Sequence, residues 1–190
     1  MKKAFLLASI LLISVISTAC INNFAVQELN NKAKTFMDNG DYTSAIERLK
    51  SSVDLDGTVF ETQYNLAVAY TKAEDYENAI KTYDEASKLN PDFADLYYSK
   101  AVCEENLAKD IISGELVVEE DGSISKAEPD EEDVVIKDSK LPESAKKVIV
   151  EYLNSAIADY QIYSDKNGQS EDINNKLEEL QNLAESYVVK

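Results

Sequence analysis

An internal repeat limits how this chain can fold more than any other feature of its sequence. The segment from Asn39 to Ile46 recurs from Ala73 to Ile80, a shift of 34 residues. The same shift relates further apolar pairs: Ala33 and Ala67, Phe36 and Tyr70, Leu49 and Tyr83, and Leu55 and Leu89. A period of this length is typical of arrays built from one supersecondary unit. Such a unit cannot bury its apolar face alone, so neighbouring units must stack against each other.

The apolar residues of each copy have the spacing of two helices. In the second copy, Ala67 and Tyr70 lie on one face of a predicted first helix. Ala79, Tyr83 and Ala86 lie on one face of a predicted second helix. Alanine at the contact positions allows the two helices to approach closely, while the tyrosines fill the space beside that contact. Each copy is therefore predicted to be a helical hairpin.

Polar residues mark the turns of these predicted hairpins. Asp41 and Asp75 precede the second helix of each copy, where a carboxylate accepts hydrogen bonds from the first backbone N–H groups. Asn90-Pro91 ends the second hairpin, because proline cannot continue a helix.

Residues 60–93 resemble a tetratricopeptide repeat. Ala67, Ala79 and Ala86 match the small positions of that motif, Leu66, Tyr70 and Tyr83 match the large ones, and Pro91 matches the closing proline. Gln63 stands where Trp or Tyr is usual. The resemblance implies an all-α fold, a tetratricopeptide-like α-solenoid of antiparallel helix pairs in which the first helices of successive units line a groove.

The repeat divides the chain into units. We predict a first unit at 26–59, a second at 60–93 and a third at 94–163. An acidic insert at 110–141 interrupts the third unit, and a C-terminal capping helix occupies 164–190. A solenoid needs an end unit with a polar outer face, and this last helix has that form. A coiled-coil or partner-docking helix is the alternative for the last segment.

The insert differs in composition from the helical segments. It contains two short β-like runs, Leu116–Val118 and Val134–Ile136, around Asp121-Gly122. Helical periodicity returns over 143–163, which we interpret as the displaced second helix of the third unit. Lengthening a turn about tenfold costs roughly 2 kcal/mol, which the stacking of that helix can offset. The acidic run 130–133 is a weak candidate for Ca²⁺, although charge runs are more often solvated.

The N-terminal segment has the layout of an export signal. Lys2 and Lys3 precede an uncharged apolar run from Ala4 to Ala19. Residues 17–20 read Ser-Thr-Ala-Cys and resemble the bacterial lipoprotein signal, in which the Cys thiol is lipidated and becomes the mature N-terminus. The resemblance implies a signal peptide at 1–19, lipid attachment at Cys20 and a tether at 20–25, which together place the domain on the extracytoplasmic face of a bacterial membrane. An uncleaved anchor and an ordinary secretory signal are the alternatives.

The composition excludes several classes of function. The chain has no His, which removes Ser-His-Asp and Cys-His nucleophile pairs and His-led metal sites. Lys+Arg 19 against Asp+Glu 36 gives a formal net charge of −17, so no basic face for nucleic acid is indicated. Phosphate-loop, paired-cysteine and dinucleotide motifs are missing. We expect no enzyme activity, cofactor, metal site or nucleic-acid partner, and we expect Cys103 to be a buried small hydrophobe.

The resemblance also implies a binding groove. Its exposed positions, carried over residue by residue, are Asn30 and Lys34 in the first unit, Tyr64, Asn65 and Val68 in the second, and Tyr98 and Val102 in the third. This mixture of tyrosine, aliphatic and amide side chains suits an extended or helical peptide with apolar anchors. Some family members clamp a C-terminal carboxylate with cations, but Asp95, Ser99 and Val102 occupy the third-unit positions here.

These patterns favour a protein–protein interaction scaffold whose partner is a protein or a peptide. Two alternatives stay open. An assembly or regulatory subunit would contact its partner through the acidic insert instead of the groove. A carboxylate-dependent envelope hydrolase would use a pair of acidic side chains, although chance alone brings some carboxylates together in so acidic a chain.

Overall fold

A computed structural model describes residues 22–127 and 141–188 of the chain. Over these residues the fold is all-α, as the sequence predicts, with one small β-hairpin. The helices are α1 (22–38), α2 (Tyr42–Leu55), α3 (Phe60–Lys72), α4 (Tyr76–Leu89), α5 (Ala94–Ser113), α6 (Glu143–Asn167) and α7 (Glu171–Tyr187), and the strands are β1 (Leu116–Val118) and β2 (Ile124–Lys126). The chain forms two compact units, which divide between Glu74 and Asp75.

The first unit packs α1, α2 and α3 around a small aliphatic core. The core residues are the buried Ala33, Ala45, Leu49, Leu66 and Ala69, with Phe36, Met37, Ile46, Val53 and Tyr70 packed beside them. The three alanines have no exposed surface, so the helices meet at close range. Ala33, Phe36, Leu49 and Tyr70 of the repeat pattern therefore contribute to this core.

The turns that begin the second helix of each repeat copy have the same geometry. Asp41 caps α2 by accepting a hydrogen bond from Ser44 N at 3.1 Å, and Asp75 caps α4 by accepting one from Asn78 N at 3.3 Å. The residue before each cap is left-handed, with φ of 76° at Gly40 and 59° at Glu74. Glycine adopts this conformation freely, whereas Glu74 adopts it at a cost of about 1–3 kcal/mol that the surrounding turn must offset.

The second unit contains α4 to α7 and the larger core. Its fully buried side chains include Leu96 and Leu107 on α5 and Ile149, Leu153 and Ala156 on α6. α6 packs along α5 and α7 packs against α6. Ser170 caps α7 by accepting a hydrogen bond from Ile173 N at 3.3 Å. The predicted apolar stripe of α7 faces the core through the buried residues Ile173, Leu180, Ala184 and Tyr187.

The insert begins with more regular structure than its composition suggests. α5 continues to Ser113, three residues beyond the predicted start of the insert at 110, and ends at Gly114 with φ of 84°. β1 and β2 form an antiparallel hairpin in which Val118 pairs with Ile124. In its turn, the Asp121 carboxylate accepts hydrogen bonds from Ser123 N at 2.9 Å and Ser123 Oγ at 2.6 Å. β1 contacts α5 and α6, so the hairpin belongs to the second unit.

Several sequence predictions fall outside the described residues. They are the signal peptide, Cys20, the second β-like run at 134–136 and the acidic run at 130–133. Of the helices that the structure describes, none has both the length and the apolar character that crossing a bilayer requires.

Candidate functional site

A cavity in the first unit brings three of the predicted groove residues together. Asn30 and Lys34 of α1 and Asn65 of α3 all line it, and its volume is about 480 Å³. Ala33, Met37 and Leu49 give it an apolar side, while Asp38 and Glu61 add two carboxylates. Since α1 and α3 are the first helices of the two repeat copies, the cavity lies where the resemblance to a tetratricopeptide repeat implies a groove.

A hydrogen bond fixes one wall of this cavity. Asn30 Nδ2 donates to Thr62 Oγ1 at 2.8 Å and so joins α1 to α3. Thr62 is fully buried, and Asn30 Oδ1 is also buried but has no hydrogen-bond partner among the described atoms. An unsatisfied buried acceptor costs about 1–3 kcal/mol. The resemblance implies a binding role for Asn30, and the structure adds that its Nδ2 already joins α1 to α3.

Gln63 explains why the repeat tolerates an amide in a position usual for an aromatic residue. Its side chain is buried, and its Nε2 donates to the backbone oxygen of Gly57 at 3.2 Å. That bond ties α3 to the turn after α2. The predicted groove residue Tyr64, next to it, stacks on Phe60 with ring centroids 5.9 Å apart. Tyr64 and Val68 are both half-buried on α3 and neither lines the cavity.

The two remaining groove residues lie in the second unit. The ring of Tyr98 on α5 packs edge-on against Tyr160 at 5.5 Å and against Tyr163 at 5.1 Å, measured between centroids. Tyr98 nevertheless stays 42% exposed. Val102, one turn further, is half-buried and packs against the core of this unit. Tyr98 thus combines a packing role with an accessible face, whereas Val102 contributes mainly to the core.

A buried cluster of charges on α4, α5 and α6 was not found by sequence reasoning. Lys100 Nζ lies 2.7 Å from Asp84 Oδ1, 3.1 Å from Asp159 Oδ2 and 3.5 Å from Glu104 Oε1. Glu104 and Asp159 are almost fully buried. Burial alone would lower the pKa of Lys100, but its hydrogen bond to Asp84 and the charges of all three carboxylates outweigh burial and raise it, so Lys100 is a cation.

A second charge cluster joins α5 to α6 and α7. Glu105 Oε1 accepts hydrogen bonds from Lys109 and from Lys176 Nζ at 3.0 Å, and its Oε2 accepts one from Tyr160 Oη at 3.0 Å. Burial opposes the charge of Glu105, but the hydrogen bonds from the two lysines and the tyrosine outweigh it and lower the pKa of this carboxyl. Glu105 is therefore an ionised carboxylate that connects three helices of the second unit.

Neither cluster has the form of a metal site. Across 22–127 and 141–188, no three Asp, Glu or Cys side chains converge in a way that could hold a metal ion. Cys103 is fully buried and forms no disulfide, in agreement with the expected small hydrophobe.

Helices that repeat at a fixed period, contain buried alanines at the repeated positions and leave a cavity between α1 and α3 define an α-helical repeat fold. Residues 60–93 match the family model described as tetratricopeptide repeat. The prediction of a tetratricopeptide repeat at these residues is confirmed. No curated protein matches the chain in sequence.

Solved structures show the same fold at low sequence identity. The Arabidopsis OM64 TPR domain is 12% identical with a TM-score of 0.57, over 85% of this chain and 98% of that one. The second TPR domain of human RPAP3, in complex with an HSP70 peptide, is 16% identical with a TM-score of 0.54, over 84% of this chain and 98% of that one. The first TPR of Spaghetti (RPAP3), bound to an HSP90 peptide, is 14% identical with a TM-score of 0.54, over 83% of this chain and 91% of that one.

Proposed function

We propose that this chain is a non-catalytic scaffold that binds a peptide segment of a partner protein in the cavity between α1 and α3. The observation that carries the proposal is the convergence of Asn30, Lys34 and Asn65 on that cavity. Two of the similar TPR domains are described as bound to peptides of HSP90 and HSP70, which supports a peptide as the ligand.

The chemistry of the cavity suits a short extended segment. Its volume of about 480 Å³ lies within the usual range of about 300–1,000 Å³ for ligand sites. Met37 is half-buried and offers an apolar surface for one anchoring side chain of the peptide. The Asn65 amide can donate to and accept from a peptide backbone, and Lys34 supplies an exposed cation at the same cavity.

We further propose that a lipid on Cys20 tethers the domain to the extracytoplasmic face of a bacterial membrane. The basic start, the apolar run and the small residues before Cys20 support this assignment. Two or more acyl chains are needed for a lasting anchor, because one chain alone binds reversibly. Radioactive palmitate should label the wild-type chain and not the Cys20→Ala variant. An unlabelled wild type would remove the lipid anchor from the proposal.

A peptide array probed with the full chain tests the binding site. We expect Asn65→Ala and Lys34→Ala each to weaken the strongest array signals about fivefold or more, since central contacts contribute more than about 1 kcal/mol. Lys50→Ala is the matched control, because Lys50 is an exposed lysine on α2 that does not line the cavity. Equal binding by all three variants would refute the cavity as the site.

One observation favours a different contact surface. Val117 on β1 is 38% exposed at the start of the acidic insert, where an aliphatic side chain could meet a partner. An assembly or regulatory subunit that uses this surface would lose binding when residues 115–140 are replaced by a short Gly-Ser turn. The groove proposal predicts that the strongest peptide signals survive this replacement.

A further inference from the structure

The Lys100 cluster contains more acidic groups than its single cation can neutralise. Glu104 is 1% exposed and Asp159 is 6% exposed, while Asp84 reaches the solvent. If all three carboxyls were ionised, the cluster would carry two uncompensated negative charges. Burying such charge is costly unless each carboxylate is paired and hydrogen-bonded. The hydrogen bonds of each group therefore decide which one is charged.

Neither buried acid is fully paired, since Asp159 Oδ2 accepts no hydrogen bond from the described residues although it lies 3.1 Å from Lys100 Nζ. Glu104 lies farther from that lysine. Its Oε1 accepts a hydrogen bond from Ser155 Oγ at 2.6 Å and lies 3.5 Å from Lys100 Nζ, the longest of the three contacts of that lysine. Its Oε2 is buried and accepts no hydrogen bond from the described residues. A proton on Glu104 removes the charge and turns that oxygen into a donor, which can serve the neighbouring Asp159.

We propose that Glu104 and Asp159 form a proton-binding site that holds one shared proton in weakly acidic solution, and that the packing of α6 against α5 weakens when this proton is lost at higher pH. The proton neutralises one of the two buried acids, and Lys100 pairs with the other and with Asp84. The cluster then carries no more than one net negative charge, and that charge is at the solvent-exposed edge on α4.

The surroundings of the pair support this assignment. Burial raises the pKa of Glu104 most, and the charge and hydrogen bond of Asp159 raise it further. The hydrogen bond from Ser155 and the charge of Lys100 lower it, and the net result is a pKa of about 7. Burial also raises the pKa of Asp159. The groups that face the pair are Asp84 from α4, Lys100 from α5, and Ser155 and Tyr152 from α6. Burial raises the pKa of Tyr152, which keeps it neutral.

The sign of the effect on stability follows from proton counting. In the unfolded chain Glu104 ionises near its ordinary pKa of 4.5, whereas in the folded chain it keeps its proton up to about pH 7. Between these values the folded state binds more protons than the unfolded state, so the free energy of unfolding falls as pH rises. The stabilisation is complete below pH 4.5 and is lost by the time the pH passes about 7.

The same proton links pH to a predicted groove residue. Tyr98 on α5 packs against Tyr160 and Tyr163 of α6, so a weaker contact between these helices changes the support of the Tyr98 ring. This consequence rests on the proposed binding function, whereas the proton site itself does not. A failure of peptide binding would leave the stability test below unaffected.

Urea unfolding of the full chain between pH 5 and pH 8.5 tests the proposal. We expect the unfolding equilibrium constant of the wild type to rise by on the order of 100-fold across this range. Glu104→Gln should remove most of that rise, because Gln mimics the protonated acid. Glu105→Gln is the control: it should keep the rise, because Glu105 is an ionised carboxylate paired with lysines. Parallel curves for wild type and Glu104→Gln would overturn the proposal.

Carboxyl ¹³C NMR of the wild-type chain gives a second readout that does not depend on a variant folding. We expect one glutamate signal with a titration midpoint between about pH 6 and 8, far above the ordinary glutamate value of about 4.3. If every glutamate signal titrates below about pH 5.5, the proton site does not exist.

Discussion

The substitution Ala101→Leu tests whether the buried alanines of the repeat are points of close helix contact. Ala33, Ala67 and Ala101 are spaced by the repeat period of 34 residues, and all three have no exposed surface. Ala101 lies on α5 in the core of the second unit, together with Leu153 and Ala156 of α6.

Two opposite outcomes follow from two pictures of this contact. If space were available, three more buried carbons would stabilise the fold by about 2.4 kcal/mol, at about 0.8 kcal/mol for each. If the helices touch at Ala101, the larger side chain must displace its neighbours at a cost of about 1–3 kcal/mol. Helix propensity does not decide between them, since Ala and Leu are both strong helix formers. Close contact of α5 with its neighbours favours the second picture, so we expect destabilisation.

Thermal unfolding followed by circular dichroism measures the effect. For a chain of 150–250 residues each kcal/mol shifts Tm by about 2–4 °C, so Ala101→Leu should lower Tm by about 2–12 °C. Ala158→Leu is the matched control, since Ala158 is an exposed alanine on α6. The control should change Tm by less than about 2 °C. An unchanged or higher Tm for Ala101→Leu would refute the close-contact reasoning.

Three further substitutions or modifications test other parts of the fold. Asp75→Ala removes the cap on Asn78 N and should cost about 0.5–2 kcal/mol in urea unfolding, so an unchanged midpoint would count against the cap. Leu180→Ala empties a fully buried site on α7 and should lower the free energy of unfolding by about 2–5 kcal/mol. The control Leu89→Ala, at a site that is 38% exposed, should lower it by less than about 1 kcal/mol. Equal losses of stability would mean that α7 is not part of the core. Cys103 should resist thiol reagents in the native chain and react in urea, as judged by mass spectrometry of its peptide, and rapid native labelling would contradict its burial.

The helical hairpins could be predicted because their signals are local and repeated. The alanines recur at one shift, and the same aspartate caps recur at Asp41 and Asp75, so each copy supports the interpretation of the other. The extension of α5 to Ser113 was less visible, because the composition of the chain changes before the helix ends. The partner strand Ile124–Lys126 was also missed, since a three-residue strand carries too little periodicity to be recognised.

The candidate site was predictable only in part. The resemblance to a tetratricopeptide repeat implied Asn30, Lys34 and Asn65 as groove residues, and the three line one cavity. The hydrogen bond from Asn30 to Thr62 spans 32 residues and the one from Ser155 to Glu104 spans 51, so neither leaves a local pattern in the sequence. In a chain with 36 acidic residues, the sequence does not distinguish the few buried carboxylates from the many solvated ones. Tertiary packing, not spacing, decides which acids are buried.

Amide chemical-shift mapping with the tightest peptide from the array locates the binding site on the chain. We expect the largest shifts on α1 and α3 around Asn30, Lys34 and Asn65, and we expect Asn65→Ala to reduce them at equal peptide concentration. Shifts confined to the β1–β2 hairpin, or spread evenly over the surface, would contradict a binding site in the cavity of the first unit.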